Sequence, residues 1–145
     1  MSILRDERLV ALHDLVEACR SSASHAALAA ELMAGDSRAA ALQALADQRA
    51  ADADFFAERM IAEGDIPGGP PEERSLLDAA LARARAAFAD EGWAALLADC
   101  RAQEETVCRQ AQAAQGAPLR DDERIAAEAL AGRAQEALQR FSSGS

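Results

Sequence analysis

Three charged residues stand on apolar helical lines, where the neighbouring side chains belong in a core. Arg49 and Asp52 fall between Leu45 and Phe56 on the line Leu42, Leu45, Phe56, Met60. Glu104 falls between Cys100 and Val107 on the line Trp93, Leu97, Cys100, Val107, Ala111. Inward carboxylates on facing helices are how di-metal sites are built. A complete set takes a Glu from each of two helices and a Glu-x-x-His from each of the other two. No Glu-x-x-His occurs, and both histidines, His13 and His25, lie in the first helical stretch, where a surface or partner-facing role is the commoner one. The complete site is therefore not encoded. A reduced site for iron or manganese would draw on Glu104 with Asp52, Glu17, Glu128 and Glu136. The favoured alternative is an ion network in which Arg49 pairs with Asp52 or Glu104, because a buried charge left unpaired is costly.

Cys100, Glu104 and Cys108 are spaced by four and stack on one helix face. Cys19 sits on the seam of the first helix and could approach them, which would make a thiol site for copper or zinc. Cys100 and Cys108 stand about 12 Å apart along a helix axis. That is too far for a disulfide or for joint ligation of one ion. The favoured reading is three free, buried cysteines acting as small hydrophobes. Their odd number fits a reducing compartment.

Other chemistry lacks its signatures. There is no Gly-x-Gly-x-x-Gly, no Gly-x-Ser-x-Gly and no His-Glu-x-x-His, and GDIPGG lacks the Lys-Ser/Thr of a phosphate loop. The net charge is −10, and all 15 basic residues are Arg. Scattered Arg on an acidic chain suits neither nucleic acid nor an anionic membrane. No apolar run approaches the ~18 residues of a membrane span. The start of the chain reads as no signal peptide, so a cytoplasmic location is expected.

These residues must be positioned by helices. Leu, Ile, Val and Phe make up just under a fifth of the 145 residues, low for a globular core. Ala, Leu, Arg, Glu and Gln dominate, however, and they are the best helix formers. The first helix is expected from about Asp6 to Ala34, along Leu9, Leu12, Val16, Cys19, Ala23, Ala26, Ala30 and Met33, and is ended by Gly35. The second runs from Ser37 to Glu63, capped by Asp36 or Ser37. GDIPGGPP (Gly64 to Pro71) is loop. A periodic stretch follows from Glu72 to Ala89, with Asp90 as a cap for what comes next. A further helix runs from Gly92 to Gln115 and a last one from Arg120 to Phe141, with Asp121 and Asp122 at its positive N-terminus. Ser142 to Ser145 reads as a frayed tail. The stretch before Asp90 is long enough to carry the chain back along the bundle, so the second and third long helices run parallel. The alternative is an up-down bundle in which Glu72 to Gln115 is one bent helix. Each buried Ala removes little area from water, so modest stability or help from self-association is expected.

Four segments, in order, resemble a bacterial ferritin-like family known as domain of unknown function 2383. LHDLVEACR (Leu12 to Arg20) resembles its opening. ADQRAADADFF (Ala46 to Phe56) is similar to its second helix, with Arg49 at a matching place. SLLDAALARARAAF (Ser75 to Phe88) is similar to its crossover, and LLADCRAQEE (Leu96 to Glu105) to the segment holding its recurrent Glu, here Glu104. The resemblance covers about Leu9 to Phe141. It implies a ferritin-like four-helix bundle with a helical crossover between the second and third long helices. Ser24 stands where the family often carries an acidic residue, and Glu136 where it often carries His. Both are ligand positions in such a bundle, and the family brings no established activity. The expectation is a single-domain, all-α, non-enzymatic protein, stress-associated or scaffolding. It would act through its surface, with a homodimer or protein partner suggested by the off-seam pair Leu28 and Leu32. A degenerate metal site at Glu104 and a thiol buffer are the alternatives.

Overall fold

The computed structural model describes residues 2–64 and 92–143. They form four helices: α1 (Ser2–Leu32), α2 (Ala39–Ala62), α3 (Gly92–Ala114) and α4 (Asp121–Ser143). The expected loop beyond Gly64, the periodic stretch Glu72–Ala89 and the Asp90 cap lie outside the described residues.

Local chemistry sets the helix ends. Gly35 takes φ +95° just after α1 and Gly64 takes φ +83° after α2. These are left-handed conformations that cost glycine little and a side-chain-bearing residue more. The expected capping of α2 by Asp36 or Ser37 does not occur. Arg38 holds the N-cap position without a side-chain cap, and the Asp36 carboxylate instead accepts from Arg38 N and Nε, both at 2.9 Å. Helix α4 starts on Asp121, Asp122 and Glu123, acidic residues that its positive end stabilises. It continues through Ser142 and Ser143, which were expected to fray.

Cross-helix pairs give the topology. Arg8 of α1 meets Glu63 after α2, so α1 and α2 are antiparallel. Ser22 of α1 meets Glu104, and the His25 carbonyl meets Cys100, so α1 and α3 are antiparallel. Helices α2 and α3 therefore run parallel. The chain leaves α2 at one end of the bundle and enters α3 at the other, which is the crossover arrangement and not the up-down one. Helix α1 packs on α2 and α3, and α3 on α4. Long side chains join α2 to α4, through Arg59–Asp122 and Arg133–Asp52.

The seams read from the sequence face largely inward, with Leu9 and Ala23 of α1 half-buried. Leu12, Val16, Cys19, Met33, Leu42, Phe56, Met60 and Val107 are all buried. Trp93 is exposed at 38% and Leu97 is only half-buried. At that turn of α3 the buried residue is Leu96. The seam of α4 is Ala127, Leu130, Ala131, Ala134 and Ala137. Its small side chains allow close approach to α3 but bury little apolar area each.

Candidate functional site

A polar layer crosses the middle of the bundle and draws on all four helices. Arg49 and Glu104 are completely buried, and Ser22 nearly so. Arg49 Nε donates to Glu104 Oε1 at 2.7 Å and Arg49 Nη2 to Glu104 Oε2 at 2.8 Å, a bidentate pair. Ser22 Oγ donates to Glu104 Oε1 at 2.7 Å. Arg49 Nη1 reaches Asp52 Oδ2 at 3.0 Å, and Arg133 Nη2 reaches Asp52 Oδ1 at 2.7 Å. Two cations and two carboxylates alternate, so the layer is neutral. Burial opposes the charge on Arg49, but the hydrogen bonds and charge of Glu104 outweigh it and raise the guanidinium pKa. Arg133 Nε is buried with no hydrogen-bond partner among the described residues. Apolar clusters lie on both sides: Cys19, Phe56, Val107 and Leu130 below, and Ala26, Leu42, Leu45 and Leu96 above.

The expected metal residues are dispersed. Glu104 and Asp52 do converge, but on the guanidinium of Arg49. Glu17 is exposed and stands 3.3 Å from His13 on the same face of α1. Glu128 and Glu136 are exposed on α4. Ser24 is half-buried. His25 donates from Nδ1 to the Ser21 carbonyl at 2.8 Å, within its own helix. No three His, Cys, Asp or Glu side chains converge to hold an ion among the described residues.

All three cysteines are free and buried. Cys19 and Cys108 share one apolar cluster while Cys100 belongs to another. Burial, reinforced by the charge of Asp52, pushes the Cys19 thiol up to about 12. Burial and the charge of Asp99 do the same for Cys100. Both thiols are thus held in their protonated, unreactive form.

A second ion cluster closes the end where α1 and α4 begin. Arg8 Nε and Nη2 grip Glu123 at 2.9 and 2.5 Å, and Arg8 Nη1 donates to Glu63 at 3.1 Å. Glu123 also accepts from the Arg120 backbone N–H at 3.0 Å, satisfying an orphan donor at the start of α4. Burial pushes the Glu123 pKa up, but the bonds from Arg8 and Arg120 outweigh it and hold it below its ordinary 4.5. The stabilisation is therefore present above about pH 4.5 and is lost as pH falls toward the folded-state value. Glu123→Gln should cost about 2 kcal/mol at neutral pH, the scale of a charge-assisted hydrogen bond. Urea unfolding of both proteins should show the gap narrowing as pH falls below 4.5.

At the opposite end, where α1 turns into α2, an apolar groove of about 730 Å³ opens between α2, α3 and α4. Leu42, Leu45, Leu97, Trp93 and Phe141 form its walls, with Arg38, Arg101 and Arg140 beside them.

No family model, curated protein or solved structure matches this chain.

The sequence reading named Arg49, Asp52 and Glu104. It missed Ser22 and Arg133, which complete the layer, and Arg8 and Glu123, which form the second cluster. Arg8 was findable, four residues before Leu12 on the same helical line. Glu123 was findable too, because it continues the seam Ala127, Leu130, Ala134, Ala137 by four. The groove had no signal, because Trp93 and Leu97 follow a core period while standing at its edge.

Proposed function

We propose that this protein is a non-catalytic binding bundle: its interior ion layer holds four Ala-rich helices in register, and its groove end is the working surface. One observation carries this reading. Both oxygens of Glu104, the central carboxylate, are engaged by Arg49, and Oε1 also by Ser22. A metal would have to displace a buried guanidinium from Glu104 and leave it with Asp52 as its one remaining carboxylate partner. The ferritin-like resemblance is compatible with this role, as an architecture kept with its ligands replaced by an ion network.

The test is metal content by mass spectrometry after incubation with iron, manganese, zinc or copper and desalting. The wild type is expected to retain less than a tenth of an equivalent of each. Stoichiometric metal in the wild type, lost in Glu104→Gln or in Cys19→Ser, would overturn the reading in favour of a carboxylate or thiol metal site respectively.

A further inference from the structure

The groove continues the core onto the surface. Leu42 and Leu45 at its floor are buried, while Leu97 and Phe141 are half-buried and Trp93 is exposed at 38%. Its volume falls in the range of ~300–1,000 Å³ typical of small-molecule sites, which are mostly apolar with a few polar groups that fix orientation. Here the charged groups are all of one sign. Arg38, Arg101 and Arg140 line the groove, and no acidic residue does among the described ones. That bias is set against the composition of a chain with 25 acidic residues and 15 basic ones.

The three arginines are not equivalent. Arg38 is held by Asp36 through two side-chain bonds, and its guanidinium lies 6.0 Å from the Trp93 ring centroid. Its charge is already matched. Arg101 Nε stands 3.9 Å from Glu105, both half in solvent, a separation at which an exposed pair contributes little. Arg140 has no ion-pair partner among the described residues. Arg101 on α3 and Arg140 on α4 therefore offer positive charge beside an apolar cleft.

We propose that this groove binds a single-chain amphipathic anion, a long-chain carboxylate. Its apolar tail lies on Leu42, Leu45 and Leu97, and its head group is received by Arg101 and Arg140. The proposal rests on the reading of the groove end as the working surface. Metal retention tests the interior layer and ligand titration tests the groove, so the two can fail separately.

Trp93 is the one tryptophan in a chain without tyrosine, so its fluorescence reports on the groove alone. Dodecanoate would be titrated below its micellar concentration, with dodecanol and dodecyltrimethylammonium as neutral and cationic counterparts. A saturable, one-to-one change in Trp93 emission is expected with dodecanoate. Binding should weaken at least tenfold for dodecanol and for the double variant Arg101→Gln/Arg140→Gln, and vanish for the cation. Shortening the tail should cost up to about fourfold per methylene. Both arginines are exposed, so the double variant should keep the wild-type circular dichroism and melting curve. Ala98→Phe, an exposed position on the groove wall, should block binding without touching charge. No saturable change, equal binding of anion and cation, or an unaffected double variant would each overturn the proposal. So would a dimer by light scattering that dissociates in the double variant, which would make a second copy the occupant.

Discussion

Arg49→Met should destabilise the protein by about 3–5 kcal/mol, the cost of leaving one member of a buried ion pair without its partner. Glu104 is the group left behind. It is completely buried, and after the substitution the Ser22 hydroxyl is its one remaining hydrogen-bond donor among those that contact it. Asp52 suffers less, because Arg133 still donates to it and it is partly in solvent. The double variant Arg49→Met/Glu104→Leu removes both charges and should recover most of the loss, since apolar replacement of a whole buried pair is often neutral or stabilising. Urea unfolding of the two single variants and the double variant closes a double-mutant cycle. A double variant as unstable as Arg49→Met would mean that the layer contributes packing that Met and Leu cannot replace.

Phe56→Ala should cost about 3–5 kcal/mol, the range for a buried aromatic side chain cut back to Ala. Phe56 is 2% exposed and meets Phe55 edge to face, with ring centroids 5.2 Å apart. Its neighbours in the cluster include Ala53, Ala57, Ala127 and Ala131. Alanines have no side chain to swing into a cavity, so the void should collapse poorly. At roughly 3 °C per kcal/mol for a chain of this size, calorimetry should show the melting temperature falling by about 10–15 °C. A drop of only a few degrees would mean that Phe55 turns in to fill the space.

Much of this architecture was legible from helix propensity and the three-and-four spacing of apolar residues, because both are properties of single segments. The seam of α2 was readable from Leu42 to Met60, charged members included. Its parallel course with α3 was also readable, because the chain between them is long enough to return. The capping of α2 was not. Asp36 and Ser37 are both strong capping types, but Arg38 captures the Asp36 carboxylate with its backbone and side chain together. Nor was the fate of the five proposed ligands readable. Glu104 lies on an apolar line and is buried; Glu128 and Glu136 occupy an Ala-rich helix in which several faces look equally apolar, and they turn outward. Periodicity in such a helix distinguishes faces only where a large residue such as Leu130 marks one of them. The pairing of Arg8 with Glu123 joins residues 115 positions apart, a relation no local pattern contains.

The relative direction of the helices has a mechanical side. Helix α1 starts at the same end as α4 and runs the same way, so the beginning of α1 and the finish of α4 lie at opposite ends of a rod of about 45 Å. Tension applied between those two points would pull along the axis and load the helices in shear. The grip of Arg8 on Glu123 at one end and the pairing of Arg133 with Asp52 at mid-height would share that load and have to give way together. A force applied between the adjacent ends of α1 and α2 would instead peel the bundle open and break its contacts in sequence. The protein should therefore be mechanically anisotropic, stiff along one pair of attachment points and soft along the other.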